Sequence, residues 1–153
     1  MRPARRIDSP RIAGIAILLA AWPFAALGLE FRSVAEPAVV LYDSPSKDSP
    51  KLFVLSRDYP VEVIISTEGW VRVRDDTGAF GWVEAKSLSS RRTVMVRAQS
   101  AQARLSPDDK APAVFKAEQG LVLEFQGLAG GWAQVRHRDG ASGYLKLFEL
   151  WGI

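Results

Sequence analysis

Over most of the chain that follows residue 28, apolar and polar side chains alternate with a period of two. In Trp70-Val71-Arg72-Val73-Arg74, Val71 and Val73 fall on one face and Arg72 and Arg74 on the other. That pattern belongs to a strand with one side in a core. Val61, Val63 and Ile65 repeat the rhythm, as do Leu121, Leu123 and Phe125. Turns separate these runs. Asp75-Asp76-Thr77-Gly78 and His137-Arg138-Asp139-Gly140 each end on a glycine, which supplies the positive φ of a tight hairpin. A further hairpin is predicted just before each tryptophan, at Glu68-Gly69 and Gly130-Gly131. No segment after Leu29 sustains a period of 3.6, so many short strands with glycine-marked turns predict an all-β barrel or sandwich.

The start of the chain follows a different rule. Arg2, Arg5, Arg6 and Arg11 precede a charge-free run over residues 12–27, and Ala26 and Gly28 are small. Basic, apolar and small-residue regions in that order predict a signal helix over residues 1–28, cleaved between Gly28 and Leu29. A membrane span needs about 20 apolar residues, and this run is shorter and contains Pro23, so a retained anchor is the alternative. The expected location is outside the cytosol, in the periplasm, with no stable membrane span after cleavage.

The remaining chain repeats itself. A shift of 62 residues lays Ser44-Pro45 on Ser106-Pro107, Phe53 on Phe115 and Glu62 on Glu124. The same shift pairs GWVRVRDDTGAFGWV at 69–83 with GWAQVRHRDGASGYL at 131–145. A clustered match of this kind is a duplication. The reading is therefore residues 29–35 as a lead-in, 36–96 as a first unit and 97–153 as a second, with 93–96 closing the first unit or linking it to the next.

These motifs closely resemble the bacterial Src homology 3 family, whose pattern is a small-residue-Pro loop, a strand, GWxxV, a glycine turn, GWV and a trailing Leu. The resemblance covers nearly all of the chain after the leader. It implies two tandem small barrels of five to six short strands, an exported protein, and binding of wall peptides or partner proteins. The second copy has Tyr144-Leu145 where the first has Trp82-Val83, and its RLSPDD loop lacks the tyrosine of LYDSPS. Val40-Leu41-Tyr42-Asp43 is similar to the ALYDY opening of eukaryotic signalling domains. Ser44 stands where their second Tyr would be and no Pro-Ser-Asn-Tyr segment follows, so proline-helix recognition is not expected.

Charge narrows the partners. The formal net charge is +3, but the leader takes four of the 20 basic and one of the 17 acidic side chains, leaving 16 of each. A neutral chain lacks the basic excess that nucleic-acid binding requires. Residues 36–90 carry a net −3 and residues 91–153 a net +3, which favours docking of one unit on the other.

Catalytic chemistry has little to work with. There is no cysteine, hence no thiol nucleophile, and the single histidine, His137, lies in a turn of Arg and Asp where it reads as a solvated loop residue. Glu62 and Glu124 are one strand position copied twice, read as exposed rather than as an acid–base pair. No cofactor or metal is expected. The aromatic residues are the candidate ligand-binding groups: Tyr42, Trp70 and Trp82 in the first unit, Trp132 and Tyr144 in the second. The competing reading has Trp82 and Tyr144 plugging the barrels, with Trp70 and Trp132 at their rims. Trp151 is expected to seal a barrel end. The function expected is a non-catalytic envelope module recognising a peptidoglycan-derived peptide or an envelope protein. The alternative is a structural or assembly protein that uses the docked barrels as a scaffold.

Overall fold

The structure, a computed structural model, describes residues 28–153. The leader expected over residues 1–28 lies outside the described residues except for Gly28. The described residues are all-β and form two sheets of seven strands each. The first contains β1 (Glu30–Val34), β2 (Ala38–Tyr42), β3 (Lys51–Ser56), β4 (Pro60–Thr67), β5 (Trp70–Arg74), β6 (Phe80–Glu84) and β7 (Leu88–Ser89). The second contains β8 (Thr93–Val96), β9 (Ser100–Arg104), β10 (Ala113–Glu118), β11 (Val122–Ala129), β12 (Trp132–Arg136), β13 (Ser142–Lys146) and β14 (Leu150–Trp151). The strand orders, β3-β2-β6-β5-β4-β1-β7 and β10-β9-β13-β12-β11-β8-β14, are the same topology written twice. No helix among the described residues is long and apolar enough to cross a membrane.

The predicted hairpins form where glycine permits them. Gly69 and Gly130 turn β4 into β5 and β11 into β12 with φ of 77° and 61°. Gly78 and Gly140 do the same at the next turn, with φ of 90° and 98°. Each unit then buries its own core. Val34, Val39, Leu41, Leu55, Val61, Val71, Val73 and Val83 form the first. Each has a counterpart 62 positions on in the second: Val96, Ala101, Ala103, Ala117, Leu123, Ala133, Val135 and Leu145. Four of the eight become alanine, and the partly buried rings of Phe115 and Phe125 pack against that smaller core.

The boundary between units differs from the sequence reading. Thr93–Val96 does not close the first sheet; it pairs with β11 and β14 of the second. Residues 29–35 are likewise not a mere lead-in, because β1 pairs with β4 and β7. In each unit the strand before the recognisable motif is needed between the long hairpin and the final short strand. These added pairings bring the count to seven rather than five to six, and the sheets change over across residues 90–92.

Trp151 does not seal the end of its own barrel. Its indole N–H donates to the carbonyl of Pro60 in the first unit at 3.0 Å, and its ring meets Phe31 edge-on with centroids 5.2 Å apart. Thr93 donates its hydroxyl to the Asp58 carbonyl at 2.6 Å. The Arg92 guanidinium lies between Phe31 and Phe125, 5.7 and 5.1 Å from their centroids, and donates to the Gly152 carbonyl at 2.8 Å. Gly152 fits there because an added Cβ would come within 2.8 Å of the Thr93 carbonyl oxygen, and its φ is 102°.

This docking also corrects the reading of Glu62, which is 5% exposed. Trp151 lies over Arg74, 5.7 Å from the guanidinium carbon to the ring centroid, and so covers the outside of the β4–β5 pair. Arg74 closes the charge from the neighbouring strand, with its Nη2 and Nε at 2.5 and 2.6 Å from Oε2 of Glu62. Glu124, the copied position, remains partly exposed and pairs with Arg91 instead.

Candidate functional site: the outer aromatic face

Period-two alternation decides which side chains leave the core. On β6, Gly81 and Val83 point inward, while Phe80, Trp82 and Glu84 point outward. On β5, Val71 and Val73 are buried and Trp70, Arg72 and Arg74 take the other face. The register then aligns the outward residues: Trp70 opposite Glu84, Arg72 opposite Trp82, and Tyr42 of β2 opposite Trp82 on the other side. Tyr42 and Trp70 meet edge to face, with ring centroids 5.6 Å apart. The three aromatic residues singled out in the first unit therefore share one surface. Trp82 does not plug the barrel; Val83 beside it does, at 0% exposure.

A groove of about 390 Å³ runs beside Tyr42, lined by Glu36, Val40, Glu84, Lys86 and Ser87. Lys47, from the loop between β2 and β3, reaches Glu84 at 3.1 Å, and Lys86 lies 3.5 Å from the same carboxylate. The hydrogen bond from Lys47 holds the Glu84 carboxyl below the usual carboxylate range. The loop is thus fastened to the strand that carries Trp82.

The second unit builds the same groove with other residues. It measures about 310 Å³ and is lined by Gln102, Arg104, Asp109, Trp132, Lys146 and Glu149. Tyr144 is half-buried on the outer face, opposite Gln134 and Arg104, and Leu145 fills the core beside it. Arg104 stands where the first unit has Tyr42, so Trp132 has no tyrosine partner. The Lys146 ammonium lies 5.4 Å from the Trp132 ring centroid instead. Trp132 and Tyr144 accordingly form a second, more basic surface on the other unit.

The sequence reading missed the clasp that holds both grooves. Lys47 and Glu84 become Asp109 and Lys146 at the equivalent positions, 2.5 Å apart, so the ion pair is kept with its polarity reversed. Comparison of the two copies at their non-identical charged positions would have found it. His137, expected to be solvated, is half-buried, 2.9 Å from Asp139 and with its ring centroid 5.9 Å from that of Phe115.

Two sheets of one topology, each with a tryptophan-led hairpin and outward aromatic residues, define a tandem pair of small β domains. A family model described as bacterial SH3 domain matches residues 35–90 and 97–152. The chain belongs to the bacterial SH3 domain family. No curated protein matches it. Among solved structures, NlpC2 from Trichomonas vaginalis is similar at 18% identity, covering 81% of this chain and 48% of that one, with a TM-score of 0.38. NlpC1 from the same organism matches at 20% identity over 90% of this chain and 50% of its own, with a TM-score of 0.38. An NlpC/P60 family protein from Bacillus cereus matches at 13% identity over 80% of this chain and 56% of its own, with a TM-score of 0.37. The chain spans about half the length of these structures.

Proposed function

We propose that this protein is an exported, periplasmic binding module of the bacterial cell envelope that does no catalysis and recognises a peptidoglycan-derived peptide through the outer face of its first unit. The observation that carries the reading is the edge-to-face pair of Tyr42 and Trp70, set beside Trp82, with Tyr42 lining a groove. These rings lie outside the core, so their apolar area and polar edges are available to a ligand. Trp132 and Tyr144 offer the second unit's counterpart, with Arg104 and Lys146 favouring a more anionic portion of the same ligand.

Retention on purified cell wall tests this. The wild-type protein is retained, and Trp70→Ala lowers its affinity about tenfold or more, as loss of an aromatic anchor does. Failure of the wild type to bind, or equal binding by Trp70→Ala, overturns the wall-ligand reading.

One observation favours an envelope protein as the partner, with the docked units as a scaffold. The edge strand β3 exposes Leu52, Phe53 and Val54 in succession, at 37, 55 and 64%. An apolar edge strand is a surface that another chain can pair with. Crosslinking from position 54 in intact cells traps a protein partner on this reading and returns only the monomer if it is wrong.

A further inference from the structure

Between the two units lies a cleft of about 630 Å³ that neither unit could form alone. The first unit contributes Arg57 and Asp58 from the turn between β3 and β4, and the linker contributes Arg91. The second unit contributes Glu124, Arg136 and Arg138. Both acids are already engaged: Arg91 spans them, 3.3 Å from Asp58 and 3.1 Å from Glu124. Among the described residues no carboxylate lies within ion-pair distance of Arg57, Arg136 or Arg138, while the nearby Asp139 is held by His137 at 2.9 Å. Arg57, Arg136 and Arg138 thus line one cleft with no ion-pair partner among the described residues.

The first unit shows what is missing. There Arg74 is met across the strand pair by the Glu62 carboxylate at 2.5 Å. Arg136 and Glu124 stand at the same cross-strand positions, but Glu124 is turned away to Arg91. The adjoining turn also changes sign, from Asp75 and Asp76 in the first unit to His137 and Arg138 in the second. Trp151 covers this region of the first unit, whereas no Trp, Tyr or Phe lines the cleft beside Arg136. The cleft is therefore the second copy of a covered, carboxylate-filled place, left open and basic.

We propose that this junction cleft binds an acidic peptide, one carboxylate of which takes the place on Arg136 that Glu62 takes on Arg74, with Arg138 and Arg57 closing on it from either side. A guanidinium fork matches a carboxylate with two parallel hydrogen bonds, and the same fold already displays that pairing one repeat earlier. The site is separate from the aromatic face, and neither proposal depends on the other.

Titration of the protein with acetylated tetraglutamate, followed by calorimetry at low and high salt, tests it. Saturable binding that weakens with salt is expected, with no binding of tetralysine. The double variant Arg136→Ser, Arg138→Ser loses about tenfold or more in affinity, and Arg57→Ser loses less, as fits the removal of charge-assisted hydrogen bonds. Trp70→Ala binds tetraglutamate as the wild type does, which separates this site from the wall-ligand reading. Far-ultraviolet circular dichroism shows the variants to be folded, since all three arginines lie on exposed positions. Absence of saturable binding, unchanged affinity in the folded double variant, or displacement of the peptide by equimolar inorganic phosphate overturns the proposal.

Discussion

Glu62 is buried and Tyr59 half-buried, and each is answered by a specific partner. Glu62 meets Arg74, and the Tyr59 hydroxyl donates to the Asp76 carboxylate in the turn between β5 and β6. Burial first, and then that hydrogen bond, push the Tyr59 hydroxyl well above its usual ionisation range. The folded state therefore holds the Tyr59 proton at pH values where the unfolded chain has lost it. Its contribution is whole below the ordinary tyrosine value of about 10 and declines as pH rises past it. Melting temperatures measured from pH 8 to 11 should fall more steeply for the wild type than for Tyr59→Phe. Parallel curves would show that the hydroxyl contributes nothing through its proton. Neither partner could be named from alternation, because Tyr59 and Asp76 are 17 positions apart and meet only when two turns are brought together.

At the scale of the strand, the duplication has kept the backbone layout and let the packing drift. Gly81 is set by Leu41, since an added Cβ would lie 2.4 Å from the Leu41 Cγ. The equivalent Gly143 faces Ala103, whose Cβ would be 3.0 Å away, with the Arg104 carbonyl oxygen at 3.1 Å. Gly81→Ala should cost about 1–3 kcal/mol through overpacking, and Gly143→Ala less. Denaturant midpoints of the two variants check this; an equal or reversed order would mean that the β2–β6 contact is looser than its geometry. The strands and hairpins were legible because an alternating run and a turn glycine act over a few residues. The same local rule placed Trp82 and Tyr144 on the face opposite Val83 and Leu145, so their outward position follows from the pleat once the core side is known.

For the whole molecule, the decisive contacts are those that join the units. Trp151, Phe31, Arg92 and Thr93 tie the end of the second sheet to β1 and β4 of the first. A single sheet of this size buries a modest core, so docking is expected to make the pair unfold together. Trp151→Ala should remove about 3 kcal/mol of that coupling and split one calorimetric transition into two. A single transition at an unchanged temperature would show that the junction is not energetically important. Opposite net charge on the two halves pointed to this docking, yet the bonds that form are chiefly aromatic and backbone contacts, with Arg91 bridging Asp58 and Glu124 as the ionic part.

Sequence alone determined that the chain is all-β, that one unit is written twice, and which aromatic side chains stand on each copy, because alternation, turn glycines and a fixed offset are local or self-referential signals. Tertiary structure alone decided that Thr93–Val96 belongs to the second sheet, that Trp151 docks on the neighbouring unit, and that Glu62 is buried while its copy is not. Each of these depends on which surface meets which across the junction. Two copies of one pattern cannot specify that, since the pattern is the same on both sides and the contact is not.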